Sequence, residues 1–141
     1  MRRLLLSLAL LAASVPAAAT DRVRVDYMLS CQGCHLDNGR GFPERGVPDM
    51  DGFVGNFLKV PGGREFLVRV PGSAQSQLPD DRLAEVLNMI LTTFSPAQLP
   101  SDFVPYTAAE VRRLRAQPLV DVARTREELV RRIKSRNNKK D

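Results

Sequence analysis

After residue 35 the chain has neither cysteine nor histidine: Cys31, Cys34 and the single His35 are all it holds of either type in 141 residues. A structural zinc site needs four such ligands, usually as two separated pairs, so it fails on ligand count. An iron centre held by two histidines fails for the same reason. Long hydrophobic runs are missing too. The most apolar stretch, Leu4 to Ala13, is much shorter than the ~20 residues a membrane span needs. No apolar–polar alternation persists long enough to mark a strand, and no segment repeats.

The N-terminus does hold an ordered pattern. Arg2 and Arg3 precede the apolar run, and Pro16 and Ala17-Ala18-Ala19 follow it. That is the charged, apolar and small-residue order of an export signal. Residues 1–19 are therefore expected to be removed, leaving Thr20 at the start of a periplasmic protein with no further membrane span. Retention as an uncut anchor is the alternative. The net charge of +5 is uneven: residues 21–106 carry 8 basic and 11 acidic side chains, and residues 107–141 carry 11 and 5. Nucleic acid is a poor partner for an exported chain. The basic tail holds Arg112, Arg113, Arg115, Arg124, Arg126, Arg131, Arg132, Lys134 and Arg136. It is expected either to meet an acidic partner surface or anionic headgroups, or to be a solvated helical face.

Helical periodicity organises the rest. Val23, Tyr27 and Cys31 recur at i, i+4 and i+8 and predict a helix running into the cysteine pair. Asp37 to Pro43, with its glycines and Asn38-Gly39 pair, is a loop that Gly46 to Gly52 continues. Short helices are expected at Phe53–Lys59 and Arg64–Val70, divided by Pro61-Gly62-Gly63 and ended by Pro71-Gly72. The strongest helix opens at Asp80-Asp81, acids that suit the positive end of the helix dipole. It carries Leu83, Leu87, Ile90, Leu91 and Phe94 in one stripe before Ser95-Pro96. Thr107 to Glu110 reads as a capping box, with Tyr106 and Val111 as its hydrophobic staple. The helix behind it reaches Ala116. After Gln117-Pro118, the stripe Val122, Leu129, Ile133 marks a final helix.

The chemistry concentrates in Cys31-Gln32-Gly33-Cys34-His35. A thiol–disulfide oxidoreductase places Cys-x-x-Cys near a βαβ unit. Here a helix precedes the pair and a glycine-rich loop follows. Cys-x-x-Cys-His is also the signature of covalent haem c attachment. Two thiols three positions apart on one helical turn reach the two vinyl groups of one porphyrin. The next residue projects from the same turn, where its imidazole coordinates the iron. On this reading Cys31 and Cys34 hold one haem and His35 is its proximal ligand, with thiol–disulfide chemistry as the alternative.

With these features, residues of about 21–95 resemble a small class I cytochrome c. The resemblance is carried by the helix ending in the Cys-x-x-Cys-His motif, the Asp37–Gly41 loop, Val47-Pro48-Asp49-Met50, and the helix Leu83–Ile90. It implies an all-α fold of three to five short helices around one covalently bound haem c. Residues 20–97 would form the cytochrome domain and residues 98–141 a basic helical C-terminal extension. It also implies that the Pro48 carbonyl accepts the imidazole proton of His35. The function implied is transfer of single electrons to or from a redox partner, such as a periplasmic dehydrogenase or oxidase, rather than catalysis.

The family usually places a methionine in the loop before the last helix, and Pro71 to Pro79 contains none. Met28, one turn before Cys31, is expected in the core, and Met89 is expected to fill space inside the last helix. Met50 is the first methionine candidate, coordinating if its loop folds over the distal face, and Met89 is a lesser one. An open site, or a nitrogen ligand such as Lys59, is the alternative. The choice separates a six-coordinate electron carrier from a five-coordinate haem that binds or reacts with a small ligand. Ser73, Gln75, Ser76 and Gln77 are neutral and supply no general base, so electron transfer is the expected function.

Overall fold

The computed structural model describes residues 17–139, with side chains from residue 22 onward. Most of the expected export signal therefore lies outside the described residues. Among the described residues seven α-helices form: α1 (Ala17–Ser30), α2 (Gln32–His35), α3 (Gly63–Arg69), α4 (Pro71–Ala74), α5 (Asp80–Phe94), α6 (Ala108–Arg115) and α7 (Val122–Asn137). Three 3₁₀ segments, Pro43–Arg45, Val54–Lys59 and Pro96–Gln98, join them. Among the described residues there is no strand, only a lone bridge between Phe42 and Val47. The fold is all-α, as the periodicity and the resemblance predict.

α5 is the central element. Its apolar stripe buries Leu83, Ala84, Val86, Leu87, Ile90, Leu91 and Phe94, and it packs against α1 on one side and α6 on another. The α1 contact rests on Tyr27 and on a buried carboxylate. Asp26 is 1% exposed, and Arg82 of α5 meets it with both arms of its guanidinium, Nε reaching Oδ2 at 2.7 Å and Nη2 reaching Oδ1. A planar fork on a carboxylate fixes orientation as well as distance. Met28, expected in the core, is instead 51% exposed. The reason is rotational: α1 turns Tyr27 inward, and the next residue points about 100° away around the axis.

Two local expectations also change. The segment after Phe53 coils as a 3₁₀ helix, Val54–Lys59, and presses on the start of α3. A Cβ on Gly63 would stand 2.0 Å from the Phe57 carbonyl oxygen, so only glycine fits there. Pro71-Gly72 does not simply end helical structure. Pro71 takes the first position of the one-turn helix α4, where its missing N–H costs nothing.

The C-terminal segment shares the core of the rest. Tyr106, Val111, Leu114, Leu129 and Ile133 are all buried in one cluster with Val54, Phe57, Phe66, Leu83 and Leu91. α6 lies on α5, α3 and α4, and α7 lies on α3 and the Val54–Lys59 segment. The capping box is half formed. Thr107 Oγ1 accepts the Glu110 N–H at 3.3 Å, but the Glu110 carboxylate turns to Arg64, at 2.6 and 2.8 Å. Tyr106 is held three ways: Asn88 bonds both of its backbone groups at 2.7 and 3.0 Å, its hydroxyl donates to the Arg64 carbonyl at 2.7 Å, and the Arg64 guanidinium lies 4.1 Å from its ring centre.

Candidate haem-attachment site

α1 ends at Ser30 and the chain turns through Cys31 directly into α2. The Cys31 N–H still donates to Tyr27 O at 2.8 Å, and the His35 N–H donates to Cys31 O at 3.0 Å. The two cysteines and the histidine thus stand on one turn, as their spacing predicts. Cys34 is exposed at its edge and Cys31 is half-buried. Burial first, and the neighbouring Cys34 second, push the Cys31 thiol up to about 11. A disulfide-exchange nucleophile needs the opposite shift, so this environment speaks against the thiol–disulfide alternative. Among the described residues no group of three His, Cys, Asp or Glu is placed to hold a metal ion on its own.

His35 is half-buried, with its Nδ1 closed off from solvent. Burial holds the imidazole below its ordinary value, opposed by the Pro48 carbonyl beside the ring. It is therefore neutral at pH 7, the form that coordinates a metal. That carbonyl does not complete a hydrogen bond of good geometry: Nδ1 is buried without a partner. A buried orphan nitrogen beside a carbonyl acceptor fits an imidazole whose proton is assigned to Nδ1 by a metal bond on its other nitrogen.

The loop from Leu36 to Met50 closes over this nitrogen. The Gly41 N–H reaches back to His35 O at 3.3 Å, and the Met50 N–H donates to Gly39 O at 2.8 Å. Gly39, at φ 79°, lies against Phe94, whose ring carbon would be 2.8 Å from a Cβ placed there. Phe94 in turn sits 5.4 Å from the Tyr27 ring. The end of α5, the end of α1 and the loop therefore meet at three residues, two of them aromatic. Tyr27 donates to the Leu36 carbonyl at 2.6 Å, and burial pushes its phenol up to about 12, so it remains a donor.

Of the candidate sixth ligands, Met50 is half-buried against the core with its main chain tied to Gly39. Met89 is half-buried in the core, and Lys59 Nζ donates to Asn56 Oδ1 at 3.2 Å. The methionine-free loop is held from the C-terminal segment. Arg115 donates to the carbonyls of Ala74 at 3.2 Å and Leu78 at 2.8 Å, and to Ser76 O, and it reaches Asp80 Oδ1 at 3.2 Å. Sequence reasoning missed this clamp and the Tyr27–Leu36 contact, since neither leaves a periodic or spacing signal. Two clefts, of about 240 Å³ beside Phe66 and Leu129 and about 340 Å³ beside Leu58 and Phe103, do not touch the Cys31–His35 turn.

No protein-family model matches the chain. A cytochrome c-552 of Thermus thermophilus is 35% identical over 137 residues, covering 84% of this chain and 90% of that protein. The chain belongs to the cytochrome c-552 family. A second cytochrome c-552 from Thermus thermophilus is 37% identical over 107 residues, covering 63% of this chain and 81% of that protein. Membership makes this chain a c-type cytochrome, a protein class that holds haem c covalently and transfers electrons.

Proposed function

We propose that this cytochrome is an exported, periplasmic carrier of single electrons between a dehydrogenase or oxidase and a second redox protein. Bound haem c supplies the one-electron iron chemistry. Cys31 and Cys34 would carry the thioether links and His35 would coordinate the iron. The Pro48 carbonyl stands beside the ring, where it would accept the Nδ1 proton once the other nitrogen is bound, orienting the ring and raising its basicity as a ligand. The observation that carries this reading is the buried, unpartnered Nδ1 of a neutral imidazole standing on the same turn as both cysteines. Export is supported by the N-terminal pattern, with a mature start at Thr20. No helix among the described residues is long and apolar enough to cross a membrane. Residues 20–97 bear the site, and residues 98–139 brace it.

Met50 is the methionine proposed for the sixth position. A second reading, an open distal site, is favoured by one observation: the Met50 main chain is tied through Gly39 to the loop that also carries Pro48, on the imidazole side. Visible spectra of the ferric and ferrous protein, with and without carbon monoxide, separate the two. Met50 ligation gives a low-spin ferric spectrum with a weak red sulfur-to-iron band that Met50→Ala erases. An open site gives a high-spin spectrum and rapid carbon monoxide binding. Both readings require haem that survives acid–acetone extraction and is lost in Cys31→Ser or Cys34→Ser. Extractable haem, or a native low-spin spectrum in His35→Ala, overturns the site assignment.

A further inference from the structure

We propose that Tyr27 is a positioning residue for His35: its hydroxyl holds Leu36 in a backbone conformation that leucine avoids, and through Leu36 it sets the loop that brings Pro48 against the imidazole. This rests on His35 being the axial ligand. Leu36, at φ 59° and ψ 177°, is the one non-glycine residue with positive φ among the described residues. That region is open to glycine and strained for any residue with a side chain. Such strain persists only where the surroundings over-determine it, and here both ends of the residue are pinned. The Leu36 N–H is tied to the attachment turn through Gln32 O at 2.8 Å. Its carbonyl is tied to α1 through the Tyr27 hydroxyl at 2.6 Å.

Packing alone does not require that hydroxyl. The Tyr27 ring is 1% exposed against Phe94, a space a phenylalanine ring fills equally well. Among the described residues the oxygen's one hydrogen bond is to Leu36. The path of the loop beyond Leu36 depends on the direction that residue sets. The Gly41 N–H returns to His35 O, and the Met50 N–H returns to Gly39 O, so the loop arrives with Pro48 beside the ring. Freed from Tyr27, Leu36 relaxes toward ordinary negative φ. The loop then swings relative to the Cys31–His35 turn, and the Pro48 carbonyl moves off the imidazole. In the haem-loaded protein an imidazole that cannot reach that carbonyl would be a weaker base, which would disfavour the ferric state and raise the reduction potential.

The test uses haem-loaded protein and three variants, Tyr27→Phe, Leu36→Gly and the double change. The readouts are the reduction potential and the paramagnetically shifted NMR resonances of the His35 ring. Tyr27→Phe should raise the potential and move the ring resonances while the haem stays covalently bound. Leu36→Gly in the Tyr27→Phe background should restore both, because glycine holds φ 59° without help. If Tyr27→Phe does not mature, the double variant should. Unchanged readouts in Tyr27→Phe, or a shift that Leu36→Gly does not reverse, overturn the proposal while leaving the haem assignment intact. Absence of covalent haem from the wild-type protein instead removes the reading beneath it.

Discussion

Leu114→Ala is the sharpest probe of whether the C-terminal segment braces the cytochrome or hangs from it. Leu114 is 6% exposed on α6, in the cluster that also holds Val111 and Leu83. Truncating a buried leucine removes its transfer free energy and leaves a cavity, together about 2–5 kcal/mol. For a chain of this size each kcal/mol moves the melting temperature by about 3–6 °C, so a loss of about 6–30 °C is expected. The preceding residue is the control. Arg113 is exposed and its side chain makes no ion pair or hydrogen bond among the described residues, so Arg113→Ala should stay within about 0.5 kcal/mol of wild type. Far-UV circular dichroism and the Soret band, followed in one melt, read helix and haem environment together. In Leu114→Ala both should move down in a single step. Truncation after Pro105 is harsher: it strips Val111, Leu114, Leu129 and Ile133 from the core, at about 1.5–3 kcal/mol each, a sum comparable with the ~5–15 kcal/mol stability of a whole domain. The reasoning is refuted if Leu114→Ala melts with the wild type, or if the C-terminal helices melt first and leave the Soret transition where it was.

Arg115→Ala uncovers the carbonyls of Ala74, Ser76 and Leu78 together; a loss of about 2–3 kcal/mol and faster amide exchange across residues 74–80 are expected, and unchanged exchange would mean that the loop stands without the clamp. Hydrogen bonds from Arg112 first, and from Arg115, hold the Asp80 carboxyl below its ordinary range. A carboxyl depressed in the folded state stabilises above its unfolded value of about 3.9 and loses that contribution as pH falls through the lower folded value. Asp80→Asn should therefore flatten the acid limb of the stability curve, and an unaltered limb in pH-dependent urea melts counts against the assignment. Exchange of electrons with an acidic partner should slow as salt shrinks the Debye length from about 30 Å at 0.01 M to about 8 Å at physiological strength. Arg131→Glu with Lys134→Glu should remove that dependence, and a dependence that survives places the docking surface elsewhere.

What could be read in advance divides by the range of the interaction. α5 was legible because every residue of the predicted stripe, Leu83 through Phe94, faces one core, and periodicity within one helix reports that directly. The Cys31–His35 turn was legible because its chemistry lies in five consecutive residues. Leu36 was not, since its conformation is imposed by a hydroxyl nine positions earlier. Asp26 and its partner Arg82 stand 56 positions apart, and nothing local marks either. Met28 fell on the wrong side of α1 because the buried arc there is narrow and takes in Asp26 at the expense of an apolar neighbour. The stripe of α7 was visible, but not what it covers: Leu129 and Ile133 lie on a surface built from residues some 70 positions earlier.

That surface also explains why the tail is rich in arginine. Several of its guanidinium groups point back at the body of the protein, where they find carbonyl oxygens left over at the ends of short helices. Arg136 donates to Lys59 O at 3.0 Å and Arg132 to Pro61 O at 3.3 Å, where the 3₁₀ segment ends. Arg115 serves the carbonyls of Ala74, at the end of α4, and of Ser76 and Leu78 beyond it. A fold of many short helices has many such ends, each with carbonyls that its own turns do not satisfy. Arginine suits them better than lysine, because a planar fork of five donors spans several carbonyls at once. The tail cations thus fall into two groups with different work. Arg112, Arg115, Arg132 and Arg136 bond back to the short helices and loops from the surface. Arg113, Arg126, Arg131 and Lys134 have no partner among the described residues, and they are the charges available to the proposed docking.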